Sequence, residues 1–295
     1  MSAAETLGTT ALTAHFGVLC EGADLTEHTI PTLYPTLRAL FERHSVLLFR
    51  DQDLSPAAHL SLAAHFGPIE DRKADERTAD EAFEIPEVSN IRVDGGLTDA
   101  GNLHSLNLQS NQLWHTDGTF LPAPALANIL VAQVVPGHGG ETEIASTRAA
   151  WAAMPESLRS RLKGARLRHR YSHSRAQISE ELARQPMFSK WPDQIWPALW
   201  QNPATADDAV YIASHAVAVE GMAEAPGQAL IAEAIAFCTQ PQFVYTHRWR
   251  VGDVLIWDER ATLHRGRPWD PAEPRRLTSL CVTATEADGL GAMRG

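Results

Sequence analysis

From residue 125 onward the chain alternates short apolar runs with turn-forming residues, a pattern that few folds accommodate. Residues 125–135 read as a strand, 136–140 as a turn and 142–145 as a second strand. Many short strands with peripheral helices predict a mainly β fold with a double-stranded β-helix core, the jelly-roll or cupin-like architecture. The later strand-like runs are 166–171, 210–213, 243–249, 254–258 and 277–285, and the helical stretches lie near 147–163 and 226–239.

The N-terminal part of the chain shows helical periodicity instead. Apolar residues recur at the spacing of one helical face over about 31–43, which predicts a first helix. The apolar run 46–50 is typical of a buried strand, and Ser55 is a suitable N-cap for a second helix that ends at Phe66. Because no repeat or linker separates these elements from the β-rich part, we expect one domain over 1–295.

Two stretches with little apolar periodicity are expected as lid loops, over about 69–112 and 172–202. Within the first, 69–85 is acidic and 93–112 is rich in Gly, Asn, Ser and Thr. Long loops in a compact domain commonly cover or bind a ligand, although plain solvated surface is the alternative for the acidic half. Contact with an apolar or aromatic substrate and packing in the core are the alternatives for three tryptophans. These are Trp191, Trp196 and Trp200.

Charge and cysteine content restrict partners and compartment. The chain has 36 acidic and 25 basic residues, and its net charge of −11 repels nucleic-acid phosphates and anionic membranes. We therefore expect a small-molecule substrate and neither nucleic acid nor membrane as a partner. Cys20, Cys238 and Cys281 are too far apart in sequence for a disulfide framework or a zinc knuckle, and the first eight residues lack the features of a targeting signal. We expect a cytoplasmic protein that forms a homo-oligomer.

His115-Thr-Asp117 stands at the start of the β-rich half, although such a pair alone is a weak signal among 13 histidines and 36 acidic residues. On a strand, residues two apart face the same side, so the imidazole and the carboxylate would share a barrel interior. His264 supplies a second imidazole directly after a strongly apolar strand. Two imidazoles and one carboxylate leave three positions of an octahedral ion open, as non-haem Fe(II) oxygenases require. These three residues are the candidate metal ligands and the candidate catalytic centre.

A further residue, Arg275, follows His264 by eleven positions and is placed to face the same cavity from the next strand. Its planar guanidinium can bind a carboxylate through two parallel hydrogen bonds. With these residues and Gly139-Gly-Glu-Thr142 between them, the chain resembles the taurine dioxygenase and aryloxyalkanoate dioxygenase family of Fe(II)/2-oxoglutarate enzymes. The resemblance extends over nearly the whole chain through a series of short motifs. The others are Val46-Leu-Leu-Phe-Arg-Asp-Gln52, Phe66-Gly67, Asn111-x-x-Trp-His-Thr-Asp117, Gly252-Asp253 with Trp257-Asp258, and His264-Arg-Gly-Arg-Pro268.

This resemblance implies a reaction and a role for each matched residue. The three candidate ligands would bind Fe(II). Arg275 and the hydroxyl of Thr142 would bind the distal carboxylate of 2-oxoglutarate, whose keto-acid end chelates the metal. Asn111 would lie beside the primary substrate. The implied cofactors are Fe(II), 2-oxoglutarate as co-substrate and O2, and the implied reaction is a hydroxylation that releases succinate and CO2.

Departures from the family pattern concern the primary substrate. Taurine-type members carry a second arginine that binds the substrate anion, whereas this chain has Ser279 at that position. The adjacent Arg276 would face away from Arg275 on a strand. His215 follows a predicted strand as a histidine does in the aryloxypropionate branch, to which the pattern is most similar. The resemblance thus implies a small, carboxylate-bearing, aryloxyalkanoate-like substrate near Asn111, His215 and Ser279.

Other functions remain open from the sequence. An alkylsulfonate or alkylsulfate dioxygenase of the same family is one alternative. A non-oxidative hydrolase or isomerase on a cupin-like barrel, with zinc or manganese on the same ligands, is a second, but it gives Arg275 and Thr142 no task. A non-catalytic protein that binds or senses a small carboxylate is a third. Aerobic consumption of 2-oxoglutarate with stoichiometric succinate distinguishes an oxygenase from the last two.

Overall fold

A computed structural model of the chain describes residues 7–78, 81–99 and 101–295. The expectation about a targeting signal rests mainly on residues 1–6, which lie outside these ranges. Strands occur throughout the described chain. They are β1 (Gly8–Ala11), β2 (Val18–Glu21), β3 (Val46–Phe49), β4 (Glu87–Ser89), β5 (Ala125–Val134), β6 (Thr142–Ser146), β7 (Arg166–His169), β8 (Gln194–Pro197), β9 (Leu199–Gln201), β10 (Asp208–Val210), β11 (Ala216–Val219), β12 (Val244–His247), β13 (Val254–Asp258), β14 (Thr262–Gly266) and β15 (Arg276–Thr283).

The helices lie between and around these strands. The α-helices are α1 (Ile30–His44), α2 (Pro56–Phe66), α3 (Leu103–Ser110), α4 (Thr147–Ala153), α5 (Glu156–Leu162), α6 (Tyr171–Ala176), α7 (Glu180–Ala183), α8 (Glu224–Cys238) and α9 (Leu290–Arg294). Short 3-10 turns occur at Pro186–Phe188, Pro241–Phe243 and Glu286–Asp288.

The largest sheet has the strand order β1-β2-β3-β13-β5-β15-β4. Its central strands are buried on both faces, so each is a nearly continuous apolar run with side chains that alternate between two packing partners. On one face Leu47, Ile129 and Ile256 pack with residues of α1 and α2. On the other, Leu130 and Leu255 pack with a residue of a second sheet, β12-β6-β14.

This second sheet completes a layered arrangement. Its strand β6 contributes Ile144 to the interior between the sheets. Ala145 of β6 and Leu263 of β14 instead face a separate apolar cluster that includes residues of α4, α5 and α8. The two sheets thus enclose one layer of side chains and are covered by helices on their outer faces. The predicted mainly β fold with a jelly-roll core and peripheral helices is confirmed. The remaining sheets, β11-β7-β8 and β10-β9, extend the second cluster.

The N-terminal helix, strand and helix are also confirmed. Ser55 caps α2 as predicted, because its hydroxyl accepts the backbone N–H of Ala58 at 3.0 Å. The structure differs from the expectation in two ranges that were predicted to be loops. The range 93–112 contains α3, whose polar sequence conceals its helical nature but whose N-terminus is capped by the Asn102 side chain on the N–H of Ser105 at 2.8 Å.

The range 172–202 likewise contains regular structure. It includes most of α6, then α7 and the strands β8 and β9. The strand β8 pairs along its length with β7, so the C-terminal part of this range is anchored to a sheet. No helix within the described ranges is both long and apolar enough to cross a membrane.

Candidate active site

The backbone brings the two predicted histidine ligands side by side. His115 and His264 form an isolated β-bridge, with N···O distances of 3.0 and 2.8 Å in the two directions. Their ring centroids lie 4.1 Å apart. The predicted strand at 115–117 is therefore a single bridge, and Asp117 begins the turn that continues through Gly118.

The carboxylate of Asp117 lies between the imidazoles. Oδ1 is 3.8 Å from Nε2 of His115, and Oδ2 is 3.8 Å from Nε2 of His264. One potential ligand atom of each residue falls within 4.8 Å of the others. The structure thus brings together the three candidate ligands that the sequence identifies.

Hydrogen bonding and burial leave the imidazoles ready to act as electron-pair donors. Nδ1 of His115 lies 2.6 Å from the carbonyl oxygen of Leu113, which assigns the proton to Nδ1 and leaves Nε2 free. Burial lowers the pKa of His264 to about 3 and also lowers the pKa of His115, so both rings are neutral at pH 7.

Asp117 remains anionic although it is enclosed. Burial alone raises its pKa, but His264 and His115, which are charged in the acid range where this carboxyl titrates, and Arg72 outweigh that effect and hold the pKa below its usual value. Asn128 of β5 donates to Oδ2 at 2.8 Å and fixes the carboxylate orientation. Two neutral imidazoles and one carboxylate make the donor set that suits a divalent iron with open positions.

A buried acid that sequence reasoning missed connects these groups. Glu259 accepts the indole N–H of Trp257 at 2.7 Å and the backbone N–H of Asp117 at 3.0 Å. Its Oε2 also lies 3.6 Å from Nδ1 of His264, a nitrogen with no hydrogen-bond partner in the ranges that the structure describes. Burial and the charge of Asp117 raise the pKa of Glu259 well above its usual value. Glu259 supports both ligand segments, a contact that one sequence does not reveal because the partners are far apart along the chain.

The ligand residues open onto a cavity of about 1170 Å³ between the two facing sheets and the segments before α3 and after α6. Most of the predicted site residues line it. These are His115, Asp117, His264, Asn111, Thr142, Arg275 and Ser279, together with Trp191.

Arg275 lies immediately before β15 and is a buried cation, with only 4% of its surface exposed. Its Nη2 donates to the carbonyl oxygen of Gly140 at 3.2 Å, while Nε has no partner within the described part of the chain. Among the described residues no carboxylate pairs with it. Burial lowers the pKa of Arg275 to about 10, so the guanidinium remains charged at pH 7. An enclosed, uncompensated cation of this kind is costly and fits an anionic ligand.

The Gly139-Gly140 turn permits this arrangement. Gly140 has φ +70°, and a Cβ at that position would lie 3.1 Å from Nε of Arg275. Beyond the turn, the hydroxyl of Thr142 accepts the indole N–H of Trp249 at 3.0 Å. Since that contact uses a lone pair, the Thr142 O–H is left to donate into the cavity. Trp249 is a second supporting residue that the sequence did not identify.

The predicted substrate residues occupy different environments. Asn111 is at the C-terminal end of α3, and its backbone carbonyl oxygen accepts the backbone N–H of Gly266 at 2.8 Å. Ser279 donates to Oδ1 of Asn128 at 2.9 Å and so supports the amide that holds Asp117. Both lie on the cavity wall.

The structure does not bring His215 to the cavity wall. It is 1% exposed, and its nitrogens lie 3.4 Å from Oγ1 of Thr119 and 3.3 Å from Nη1 of Arg175. Its ring centroid is 6.4 Å from that of His115, so it packs behind this ligand. The direct role of His215 in substrate binding stays a prediction that this position does not favour.

The three tryptophans divide between the two alternatives. Trp191 lines the cavity, whereas Trp196 is buried and donates to the carbonyl oxygen of Thr119 at 2.7 Å. Trp200 belongs to the largest apolar cluster of the core. Only Trp191 is therefore placed to meet a substrate directly.

Comparison with known proteins agrees with this site. Residues 8–281 match the model of the taurine catabolism dioxygenase TauD, TfdA family. The chain is 35% identical to an alpha-ketoglutarate-dependent 2,4-dichlorophenoxyacetate dioxygenase of Cupriavidus pinatubonensis, over 90% of this chain and 94% of the relative. It is 31% identical to an (S)-phenoxypropionate/alpha-ketoglutarate-dioxygenase of Sphingobium herbicidovorans, over 90% of each chain.

Solved structures give the same result. The crystal structure of AAD-2 in complex with Mn(II) and N-oxalylglycine superimposes with a TM-score of 0.86 at 28% identity, over 96% of this chain and 98% of the other. Together with the family match over nearly the whole chain, these similarities show that the chain belongs to the taurine catabolism dioxygenase TauD, TfdA family.

Proposed function

We propose that this protein is an Fe(II)- and 2-oxoglutarate-dependent dioxygenase that hydroxylates a small aryloxyalkanoate-like carboxylate and releases succinate and CO2. The observation that carries this proposal is that two histidines, one aspartate and a buried arginine line a single cavity, and that no carboxylate of the described residues pairs with this arginine. The donor set fits Fe(II), and the arginine supplies the second charge that a dicarboxylate co-substrate needs.

The site residues have separate tasks in this proposal. His115, Asp117 and His264 would hold the iron, with Glu259 and Asn128 fixing their orientation. Arg275 and the O–H of Thr142 would bind the distal carboxylate of 2-oxoglutarate. When bound, the iron and co-substrate activate O2 for oxidation of a substrate C–H bond. The protein positions that bond and restricts the access of water.

The relatives' names support the substrate class, since they act on 2,4-dichlorophenoxyacetate and phenoxypropionate. The cavity wall agrees, because Trp191 offers an aromatic surface and Ser279 supplies no cation for a sulfonate. Where the hydroxylated carbon carries an ether oxygen, the product is a hemiacetal that separates into a phenol and a carbonyl compound. The alternatives within the family, an alkylsulfonate or alkylsulfate substrate, would need a cation elsewhere.

Coupled succinate formation tests the substrate class. We expect efficient turnover of at least one aryloxypropionate enantiomer at saturating 2-oxoglutarate and no turnover of taurine above the uncoupled rate. The reason is that a hydroxyl at position 279 provides one hydrogen bond and no bidentate charge pairing. Efficient turnover of taurine, with both enantiomers at the uncoupled rate, would reverse this assignment.

Replacement of Thr142 by valine tests the smaller part of the co-substrate site. We expect the affinity for 2-oxoglutarate to fall by about 1 kcal/mol, because one hydrogen bond is lost and the N–H of Trp249 loses its acceptor. The apparent KM for 2-oxoglutarate measures the effect. Thr142→Ser retains the hydroxyl and should behave as the wild type, and the exposed Thr246→Val on β12 is a neutral control. An unchanged KM for Thr142→Val would remove this residue from the site.

We also propose that the enzyme works in the cytoplasm and assembles into a homo-oligomer. Its three cysteines are free thiols, which suits a reducing compartment. Light scattering of the purified protein measures the assembly state, and a strictly monomeric mass would refute the second part.

A further inference from the structure

Two guanidinium groups converge on one phenol at the edge of the cavity. Nη1 of Arg72 lies 3.3 Å from the hydroxyl oxygen of Tyr171, and Nη2 of Arg175 lies 3.4 Å from the same atom. A phenol oxygen has two lone pairs and one proton. Since arginines only donate, both lone pairs are engaged and the Tyr171 O–H must find an acceptor elsewhere. Among the described residues no acceptor receives it.

The two cations in this corner differ in their direct partners. Arg72 pairs with Glu70 through Nε. Arg175 is 8% exposed, contacts Ser174 and His215 through Nη1, and has no carboxylate partner among the described residues, while its Nε is unpaired. Among the described residues only Glu70 pairs directly with either guanidinium, and the nearby Asp117 is a candidate metal ligand, so this corner can accept a further anion.

The corner opens onto the same cavity as the candidate ligands. Both Arg72 and Tyr171 line it, and the Arg72 side chain keeps 32% of its surface exposed. The backbone N–H of Glu70 donates to the carbonyl oxygen of Cys281 at 2.8 Å, and the Cys281 thiol lies 3.5 Å from Oδ2 of Asp117. Arg72, two residues further along, is therefore held on the side of the cavity that carries Asp117.

Aromatic packing makes this corner rigid. Phe120 stacks on Tyr171 with 3.7 Å between ring centroids and 5° between planes, and the Arg72 guanidinium lies 5.2 Å from the Phe120 centroid. Trp191, on the cavity wall, is 6.1 Å from Tyr171. An anion at Arg72 would thus have an aromatic surface beside it, the combination that a substrate with one carboxylate and one aryl ring requires.

We propose that Arg72 and the O–H of Tyr171 form the subsite for the primary substrate's carboxylate, with Arg175 as the supporting cation behind the phenol. This inference rests on the proposed function and assigns the charge partner that Ser279 does not provide. The substrate anion is then bound by the segment after α2 and by α6, and not by a side chain of β15. Arg72 and Tyr171 contact the carboxylate, whereas Arg175 acts through Tyr171.

Binding of a charged and an uncharged ligand of the same shape tests this proposal. The ligands are phenoxyacetate and phenoxyacetamide, titrated anaerobically into protein loaded with Fe(II) and 2-oxoglutarate. For Arg72→Gln we expect at least a tenfold loss of phenoxyacetate affinity, and for Tyr171→Phe a loss of about three- to tenfold. Affinity for phenoxyacetamide should change less than twofold in both, because its amide brings no charge.

The controls separate a subsite from a structural role. Arg184 forms an exposed ion pair with Glu180, away from the cavity. Arg184→Gln removes one positive charge there, as Arg72→Gln does in the cavity, and should leave both affinities unchanged. Tyr171→Phe keeps the packing with Phe120, so it remains informative if Arg72→Gln fails to fold. Apparent KM for 2-oxoglutarate should stay constant in all three variants.

The outcomes distinguish the two proposals. If the wild type binds and oxidises phenoxyacetate but Tyr171→Phe and every folded Arg72 variant retain the wild-type preference for the anion, the subsite lies elsewhere and the proposed function stands. Equal loss for both ligands would also overturn the subsite, because it indicates general damage to the cavity. If the wild type neither binds nor oxidises any aryloxyalkanoate, the substrate class and this subsite are both wrong.

Discussion

His264→Ala protein should neither turn over 2-oxoglutarate nor show the visible charge-transfer absorption that a keto acid gives when it chelates Fe(II). The same result is expected for His115→Ala and Asp117→Ala. The three ligand atoms lie within 4.8 Å of one another, so loss of one leaves two donors that cannot define an octahedral face. We expect one Fe(II) per wild-type chain and an activity loss of several orders of magnitude in each variant.

A readout independent of activity accompanies this prediction. Addition of Fe(II) to the apoprotein should raise its Tm, because a ligand that binds only the folded state stabilises it. The three variants should lose most of that rise, whereas His169→Ala should retain the binding of Fe(II). His169 is a buried histidine outside the site. A folded His264→Ala protein with full activity and the wild-type Tm shift would exclude this residue from the ligand set.

The candidate ligands could be selected from the sequence because chemistry restricts the residue types. Few combinations other than two histidines and an acid suit an iron with open positions, and the order of motifs around them was specific. The strands could also be predicted from the sequence, because the central strands of the main sheet are continuous apolar runs. Helix α3 was missed because it has mostly polar residues at its surface, and its stability depends on a local cap.

The supporting residues could not be predicted from the sequence in the same way. Glu259 acts on Asp117 across 142 positions, and Arg72 meets Tyr171 across 99. A single sequence contains no signal for such pairs, because each residue taken alone is an ordinary surface or loop residue. The proposed substrate subsite also depends on α6, most of which lies in a range expected to be a loop. Candidate metal ligands are thus easier to select from a sequence than the distant residues that contact them.

Arg275→Leu should weaken 2-oxoglutarate binding by about 2–5 kcal/mol, since it removes one partner of an enclosed, hydrogen-bonded charge pair. That range corresponds to a loss of roughly thirty-fold or more in affinity. The apparent KM for 2-oxoglutarate and the concentration needed for the charge-transfer absorption measure the effect. Arg276, expected to face away from Arg275, also lines the cavity, but its side chain pairs with Glu87 at 3.4 Å. Arg276→Leu is therefore the matched control and should leave the 2-oxoglutarate requirement within about twofold.

The same substitution should act on stability in the opposite direction. Without co-substrate, the Arg275 guanidinium is 4% exposed and has no carboxylate partner among the described residues, so the protein pays for its burial. Leucine removes that cost, and urea unfolding of the co-substrate-free protein should show stability equal to or about 1 kcal/mol above the wild type. Saturating 2-oxoglutarate should stabilise the wild type but not the variant. If the variant keeps or gains stability without co-substrate but loses affinity for 2-oxoglutarate, Arg275 is a ligand-binding residue. If instead the variant is destabilised without co-substrate and binds 2-oxoglutarate normally, Arg275 is structural.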